Sequence, residues 1–223
     1  MIVAIDGPAA SGKSTVAKLL ASRLGLAYLD TGAMYRAVAV EAVRRGMDLS
    51  DAAALTALAH EVTVSFSHEA GSGMPTGVLL DGRDVTREIR TPEIDAAVSP
   101  VSAVAGVREA MVEQQRRIAA ESAHTVLEGR DIGTVVFPNA EVKVFLTASA
   151  EERARRRTID MVDRGVDISQ RDVQAKLESR DRYDSTREAS PLTCAGDAFA
   201  IDTTGMTIDE VGDAIIGLME ARR

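Results

Sequence analysis

The stretch that most limits how this chain can fold is Gly7-Pro8-Ala9-Ala10-Ser11-Gly12-Lys13-Ser14. An apolar run, Ile2-Val3-Ala4-Ile5, precedes it, and in the residues that follow Val16, Leu19, Leu20 and Leu24 recur at helical spacing. The eight residues fit the pattern G-x-x-x-x-G-K-S at every fixed position. Strand, glycine turn and helix in that order let the backbone curl until successive N–H groups point inward, and the helix adds the positive end of its dipole. Such a loop holds a phosphate group. Lys13 can span the terminal phosphates of a nucleoside triphosphate, and the Ser14 hydroxyl can ligate Mg²⁺. The candidate triphosphate site is therefore Gly7, Pro8, Ala9, Ala10, Ser11, Gly12, Lys13 and Ser14, with Thr15 next to it. Lysine is otherwise scarce, confined to Lys18, Lys143 and Lys176.

The same rhythm of strand and helix continues along the chain. Residues 26–30 read as a second strand and 33–45 as a helix ending at Gly46. Further on, 125–127, 142–147 and 199–202 read as strands, and 150–163, 169–182 and 208–221 as helices. Alternation at this pace predicts an α/β fold with a mostly parallel central sheet flanked by helices. The rhythm breaks between 61 and 93. Val62-Thr63-Val64-Ser65-Phe66 alternates with a period of two, 71–77 is a loop of Gly, Ser and Pro, and 78–81 is a strand turning at Gly82. A small antiparallel insert is expected there, with helices over 92–104 and 107–122.

Composition removes several classes of function. The chain has 223 residues and a net charge of -8, so a nucleic-acid coat or an anionic membrane surface would be repelled. No apolar run approaches the ~18 residues of a membrane span, and Met1 leads into the first strand without a basic start. A cytoplasmic protein, binding neither nucleic acid nor membrane, is expected. Cys194 is the one cysteine and can form no internal disulfide.

Asp202-Thr203-Thr204-Gly205 fits the D-x-x-G of GTPase switches, but no N-K-x-D or T-K-x-D base-reading motif occurs, and the bland reading is a strand end with its turn. Tyr28-Leu29-Asp30-Thr31-Gly32-Ala33-Met34-Tyr35-Arg36 points elsewhere. With Glu88-Ile89-Arg90-Thr91, Val107-Arg108-Glu109-Ala110, Gly129-Arg130-Asp131-Ile132-Gly133-Thr134 and the run Ser149 to Arg157, it resembles the bacterial cytidylate kinase family. Arg180-Asp181-Arg182-Tyr183-Asp184, Arg187 and Ser190-Pro191-Leu192 complete the likeness, which covers essentially the whole chain.

That resemblance implies the P-loop fold of the nucleoside monophosphate kinases. Residues 1–60 and 105–223 would form the core, 61–104 the inserted monophosphate-binding subdomain, and about 153–168 a short helical lid. The reaction implied is phosphoryl transfer from ATP to CMP or dCMP with Mg²⁺, by a monomer. Arg36, Arg130 and Thr31 suit a monophosphate dianion, and Tyr35 stands beside them. Asp131, Arg108 and Ser99 would read cytosine, whose amino group needs an acceptor and whose N3 and O2 need donors. Asp184 resembles the ribose-binding carboxylate, with Arg180 and Arg187 nearby. Lys13, Arg130, Arg153 and Arg157 would stabilise the transferring phosphate, and Arg156 would join the ATP site. The acceptor oxygen is already anionic, so His60, His68 and His124 are not expected to act. Adenylate and shikimate kinases are the rival enzymes, although shikimate kinases are usually shorter and lack the insert. Asp81-Gly82-Arg83-Asp84 echoes Glu128-Gly129-Arg130-Asp131, but the first lies at an expected hairpin turn and the second at the end of a parallel strand.

Overall fold

In the computed structural model, which describes residues 1–69, 71–163 and 165–221, the N-terminal apolar run is β1 (Ile2–Asp6), with Val3, Ala4 and Ile5 fully buried. The chain divides into two compact units, Met1 with Ala21–Leu127, and Ile2–Leu20 with Glu128–Arg223. β6 (Thr125–Gly129) is divided between them after Leu127.

The second unit carries the sheet order β6-β1-β7-β8, with β7 at Val142–Thr147 and β8 at Phe199–Asp202. β1 and β7 run parallel from Val3 opposite Val142 to Asp6 opposite Phe145. β7 and β8 run parallel from Val144 opposite Phe199 to Thr147 opposite Asp202. Parallel strands deliver their carboxyl ends to one edge of a sheet, which is where such folds bind ligands. The glycine loop, the start of α6 (Ala150–Val162) and the Thr203 turn all leave from that edge. α6 packs against α7 (Gln170–Thr186). Closing the unit, α8 (Ile208–Glu220) is capped reciprocally by Thr207 and Glu210 and buries Val211, Ile215 and Met219 at intervals of one turn.

In the first unit β2 (Ala27–Asp30) lies beside β6. Asp30 caps α2 (Thr31–Arg44) by accepting the Ala33 N–H at 2.9 Å, an interaction worth about 1 kcal/mol. With only 3% aromatic residues, close packing rests on small side chains: Ala33, Ala37, Ala39 and Ala42 of α2 are all buried. α2 packs on α4 (Pro92–Ala103), and α3 (Ala52–Glu61) on α5 (Ala105–Ala120). The small sheet is antiparallel, ordered β3-β4-β5 over Val64–His68, Pro75–Leu80 and Arg83–Asp84.

The mostly parallel sheet, its flanking helices and the antiparallel sheet agree with the sequence. Three details differ. α3 was not expected, because its alanine run lacks a polar face; Asp51 starts it by accepting the Ala54 N–H, and Leu55, Leu58 and Ala59 anchor it. β3 begins two residues later than the alternation suggested, and β4 takes Pro75, Thr76 and Gly77 from the expected loop. Arg164, within the expected lid, lies outside the described residues.

Candidate active site

The glycine loop is built by steric exclusion. Gly7 sits at φ +146°, and a Cβ there would lie 2.0 Å from the Leu146 carbonyl oxygen of β7. The loop can pass that close to the sheet only without a side chain. Ala10 also takes a left-handed φ of 59°, unusual for a residue with a Cβ. α1 (Lys13–Leu24) then begins as the Val16 N–H donates to the Gly12 carbonyl.

Lys13 is 5% exposed, and its Nζ donates to the Pro8 carbonyl at 2.6 Å. Burial pushes its ammonium well below the usual lysine range, and the Arg130 guanidinium pushes the same way, against Glu128 and Asp6. The Ser14 hydroxyl donates to Glu128 Oε2 at 2.7 Å. Asp6 accepts the Ile132 and Gly133 amides at 2.8 and 2.7 Å. Its carboxyl is nevertheless raised to about 6, because burial outweighs those two hydrogen bonds. These bonds fix the main chain after Arg130-Asp131, where residues Ile132–Val136 form one wide π-helical turn.

Asp184, buried on α7, gathers three of the predicted arginines. Arg130 Nε donates to its Oδ2 at 3.1 Å, Arg180 Nε lies 3.9 Å from the same oxygen, and Arg187 Nη1 lies 3.7 Å from Oδ1. Asp131 is buried at the end of the same β6 turn.

On α6 the four arginines part company. Arg153 is buried and donates to the Ala148 and Ala9 carbonyls, each at 3.2 Å, and to Asp181. Arg156 grips Thr203 through Oγ1 at 2.9 Å and through the carbonyl at 2.8 Å, while Thr203 Oγ1 donates to the Ser11 carbonyl at 3.3 Å. Arg156 Nη1 also lies 3.6 Å from where a Cβ on Gly12 would be. Arg157 is half-buried, and Arg155 faces solvent, held by Glu152. The D-x-x-G turn is thus a strand end that buttresses the glycine loop.

Within the first unit, Thr31 and Tyr35 are buried on the first turns of α2. The Arg108 guanidinium lies 4.9 Å from the Tyr35 ring centroid, a cation–π arrangement. Arg108 Nη1 also donates to the Ser102 carbonyl, and Ser102 Oγ to the Ser99 carbonyl. Arg36 donates to the Ile89 carbonyl at 2.9 Å and pairs with Asp95; burial lowers its pKa and Asp95 opposes that.

Five residues with a hand in these clusters had no predicted role: Asp6, Asp95, Glu128, Asp181 and Thr203. Asp6 and Glu128 could have been found from the rule that carboxylates ending parallel strands face the ligand edge. Asp181 could have been found from its spacing to Asp184, three residues on and so on one helix face. Asp95 and Thr203 pair through the tertiary fold, which leaves no local signal.

The sequence profile of the cytidylate kinase family matches residues 3–221. The chain is 53% identical to the cytidylate kinase of Desulforamulus reducens over 98% of this chain and 96% of that one. It is 51% identical to that of Limosilactobacillus fermentum over 98% and 95%. Among solved structures, an uncharacterised protein from Eubacterium ventriosum is similar with a TM-score of 0.52 at 15% identity, over 99% of this chain and 98% of that one, a likeness of fold alone. With a match that runs from the first strand to the last helix, the chain belongs to the cytidylate kinase family.

Proposed function

We propose that the protein transfers the γ-phosphoryl group of ATP to CMP, and to dCMP, giving ADP and the cytidine diphosphate. The observation that carries this beyond family membership is the cluster at Asp184. Arg130, Arg180 and Arg187 gather around this one carboxylate on the unit that also carries Lys13. Guanidinium groups brought together in this way suit a monophosphate dianion, whereas a neutral hydroxyl acceptor does not call for them.

In this reading the residues that contact CMP are Arg130, Asp131, Arg180, Asp184 and Arg187, together with Thr31, Tyr35, Arg36, Ser99 and Arg108. A CMP phosphate oxygen attacks the γ-phosphorus while the bond to the bridging oxygen of ADP breaks. The nucleophile is already ionised, so no proton need be removed. The barrier is lowered by alignment and by cations that meet the charge in flight, Lys13, Arg130, Arg153 and Arg157. Lys13 must exchange the Pro8 carbonyl for phosphate oxygens, which favour its charged form. Closure of the 61–104 insert and the 153–168 lid would exclude water, the competing acceptor.

The Ser14 hydroxyl and the Glu128 carboxylate supply the hard oxygen donors that would hold Mg²⁺, and the bound ion would neutralise charge on the β- and γ-phosphates.

Initial rates with ATP and each of CMP, dCMP, UMP, AMP and shikimate test the reading. CMP and dCMP should lead. AMP turnover equal to or above that of CMP would overturn the choice of acceptor.

A further inference from the structure

Asp181 takes no part in the chemistry just described, yet it joins two elements that do. It lies on α7 one turn before Asp184, and Leu177, the previous turn, packs with Ala9, Ala154 and Val173 in one buried apolar cluster. From that support its Oδ1 accepts the Ala9 N–H of the glycine loop at 3.2 Å, and its Oδ2 accepts from Arg153 Nη1. The same Nη1 donates to the Ala9 carbonyl at 3.2 Å, and Arg153 Nε donates to the Ala148 carbonyl at 3.2 Å. Both main-chain polar groups of Ala9 are therefore held by one ion pair.

Burying such a pair is costly unless each lone pair and proton finds a partner, and here the geometry spends them on the loop. A surface ion pair that merely tethered α6 to α7 would not need the Ala9 amide. The side chain is isosteric with asparagine, but an amide presents a second donor where the carboxylate presents an acceptor. It cannot accept from both Ala9 and Arg153 in this arrangement.

We infer that Asp181 is a positioning residue for phosphoryl transfer, its carboxylate holding the Arg153 guanidinium and the Ala9 main chain in one fixed arrangement. The inference rests on the reading of Arg153 as a contact to the phosphate in flight. Asp181 touches no reacting atom; it acts through Arg153. Small misplacements of a charge in such a site cost rate more than they cost binding.

The test is a double-mutant cycle on the full-length enzyme with ATP and CMP, comparing wild type, D181N, R153A and the double variant, with thermal melts on each. D181N should lower kcat tenfold or more and leave the KM for CMP within twofold. The double variant should fall no further than R153A alone, to within twofold. D181E, which returns a carboxylate, should recover at least threefold of the loss. E178Q on the same helix, whose carboxylate bonds Gln174, should match wild type. A lowered melting temperature with unchanged kcat well below the melt, or effects of D181N and R153A that multiply, would overturn the inference. Should D181N fail to fold, D181E and its double variant with R153A carry the same cycle. Inactivity of the wild type toward CMP, or an R153A variant as fast as wild type, would instead sink the reading beneath it.

Discussion

Asp81-Gly82-Arg83-Asp84 and Glu128-Gly129-Arg130-Asp131 present almost the same chemistry in the same order and meet opposite fates. The first closes the turn between β4 and β5, with Asp81 and Gly82 at φ of 49° and 79°. Successive left-handed residues are what a two-residue hairpin requires. Arg83 and Glu88 pair there at 3.1 Å with 41% and 48% of their side chains exposed, and Asp84 accepts the Thr86 N–H. The second leaves the end of β6 with Glu128, Asp131 and the partner Asp184 all buried. A hairpin returns its charges to water, whereas the carboxyl end of a parallel strand delivers them inside, where each must be matched. The strand before the tetrapeptide decides, not the tetrapeptide.

The largest test of that contrast is the arginine. Arg130→Ala removes a cation that the proposed function assigns to the acceptor phosphate, and it takes from Asp184 its nearest partner. kcat/KM for CMP should fall at least thousandfold, roughly 4 kcal/mol. Arg83→Ala loses one exposed pair, about 0 to 1 kcal/mol of stability, and kinetics should be unchanged. Similar kinetics for the two variants would abolish the distinction between the loops.

The aspartates come next. Uracil replaces the amino donor of cytosine with a carbonyl and protonates N3, so if Asp131 and Arg108 read the base as proposed, Asp131 would face an acceptor and Arg108 a donor. Two such mismatches should cost roughly 3 to 5 kcal/mol, giving CMP at least a hundredfold preference over UMP. Asp131→Asn should reduce that ratio below about tenfold, mainly by damaging CMP use, since an amide can turn its donor to the uracil carbonyl. Asp84→Asn should leave the ratio alone. A full ratio in the Asp131 variant would mean that other residues read the base.

Much of this was legible in the sequence because it is local. Gly7, Gly12, Lys13 and Ser14 declare themselves by spacing, and the contrast of the two tetrapeptides follows from the strands before them. The Asp30 cap and the Thr207–Glu210 capping box obey rules spanning three residues. The pairings were hidden where they close over long sequence separations: Asp6 with the Ile132 and Gly133 amides, Ser14 with Glu128, Thr203 with Ser11 and Arg156. Helix α3 was hidden for a different reason, since alanine satisfies an apolar face without marking one. Arg153 and Arg156 also show what a cluster of like charges conceals. Spacing alone could not say which of four arginines in five residues points inward, and the fold gives Arg153 to Ala9, Arg156 to Thr203 and Arg155 to solvent.

Lys13 carries the contrast to a cation. Burial, helped by Arg130, brings its ammonium down to about 7, and Glu128 and Asp6 only partly offset that. Triphosphate oxygens favour the charged form, so binding at higher pH must take up a proton. The apparent affinity for ATP should fall with rising pH above about 7, by at most tenfold per unit. Titration calorimetry in buffers of different ionisation enthalpy measures the uptake directly. No uptake at pH 8, or proton release, would show that Lys13 stays charged despite its burial.

The smallest effect isolates the backbone. At Gly82 an added Cβ would meet nothing within 4 Å, so Gly82→Ala changes only the cost of holding φ at +79°. That cost is about 1 kcal/mol, or a melting temperature lower by roughly 2 to 4 °C in a domain of this size. kcat and both KM values should stay at the wild-type level. Gly7 makes the opposite case: its Cβ would strike the Leu146 carbonyl oxygen, and no change of backbone strain alone could accommodate it. If Gly82→Ala slowed turnover as well as lowering the melt, the hairpin turn would have a part in the reaction, and exposure would cease to be what separates the two tetrapeptides. A variant that melts earlier and turns over normally leaves the burial of charge behind β6 as the difference that matters.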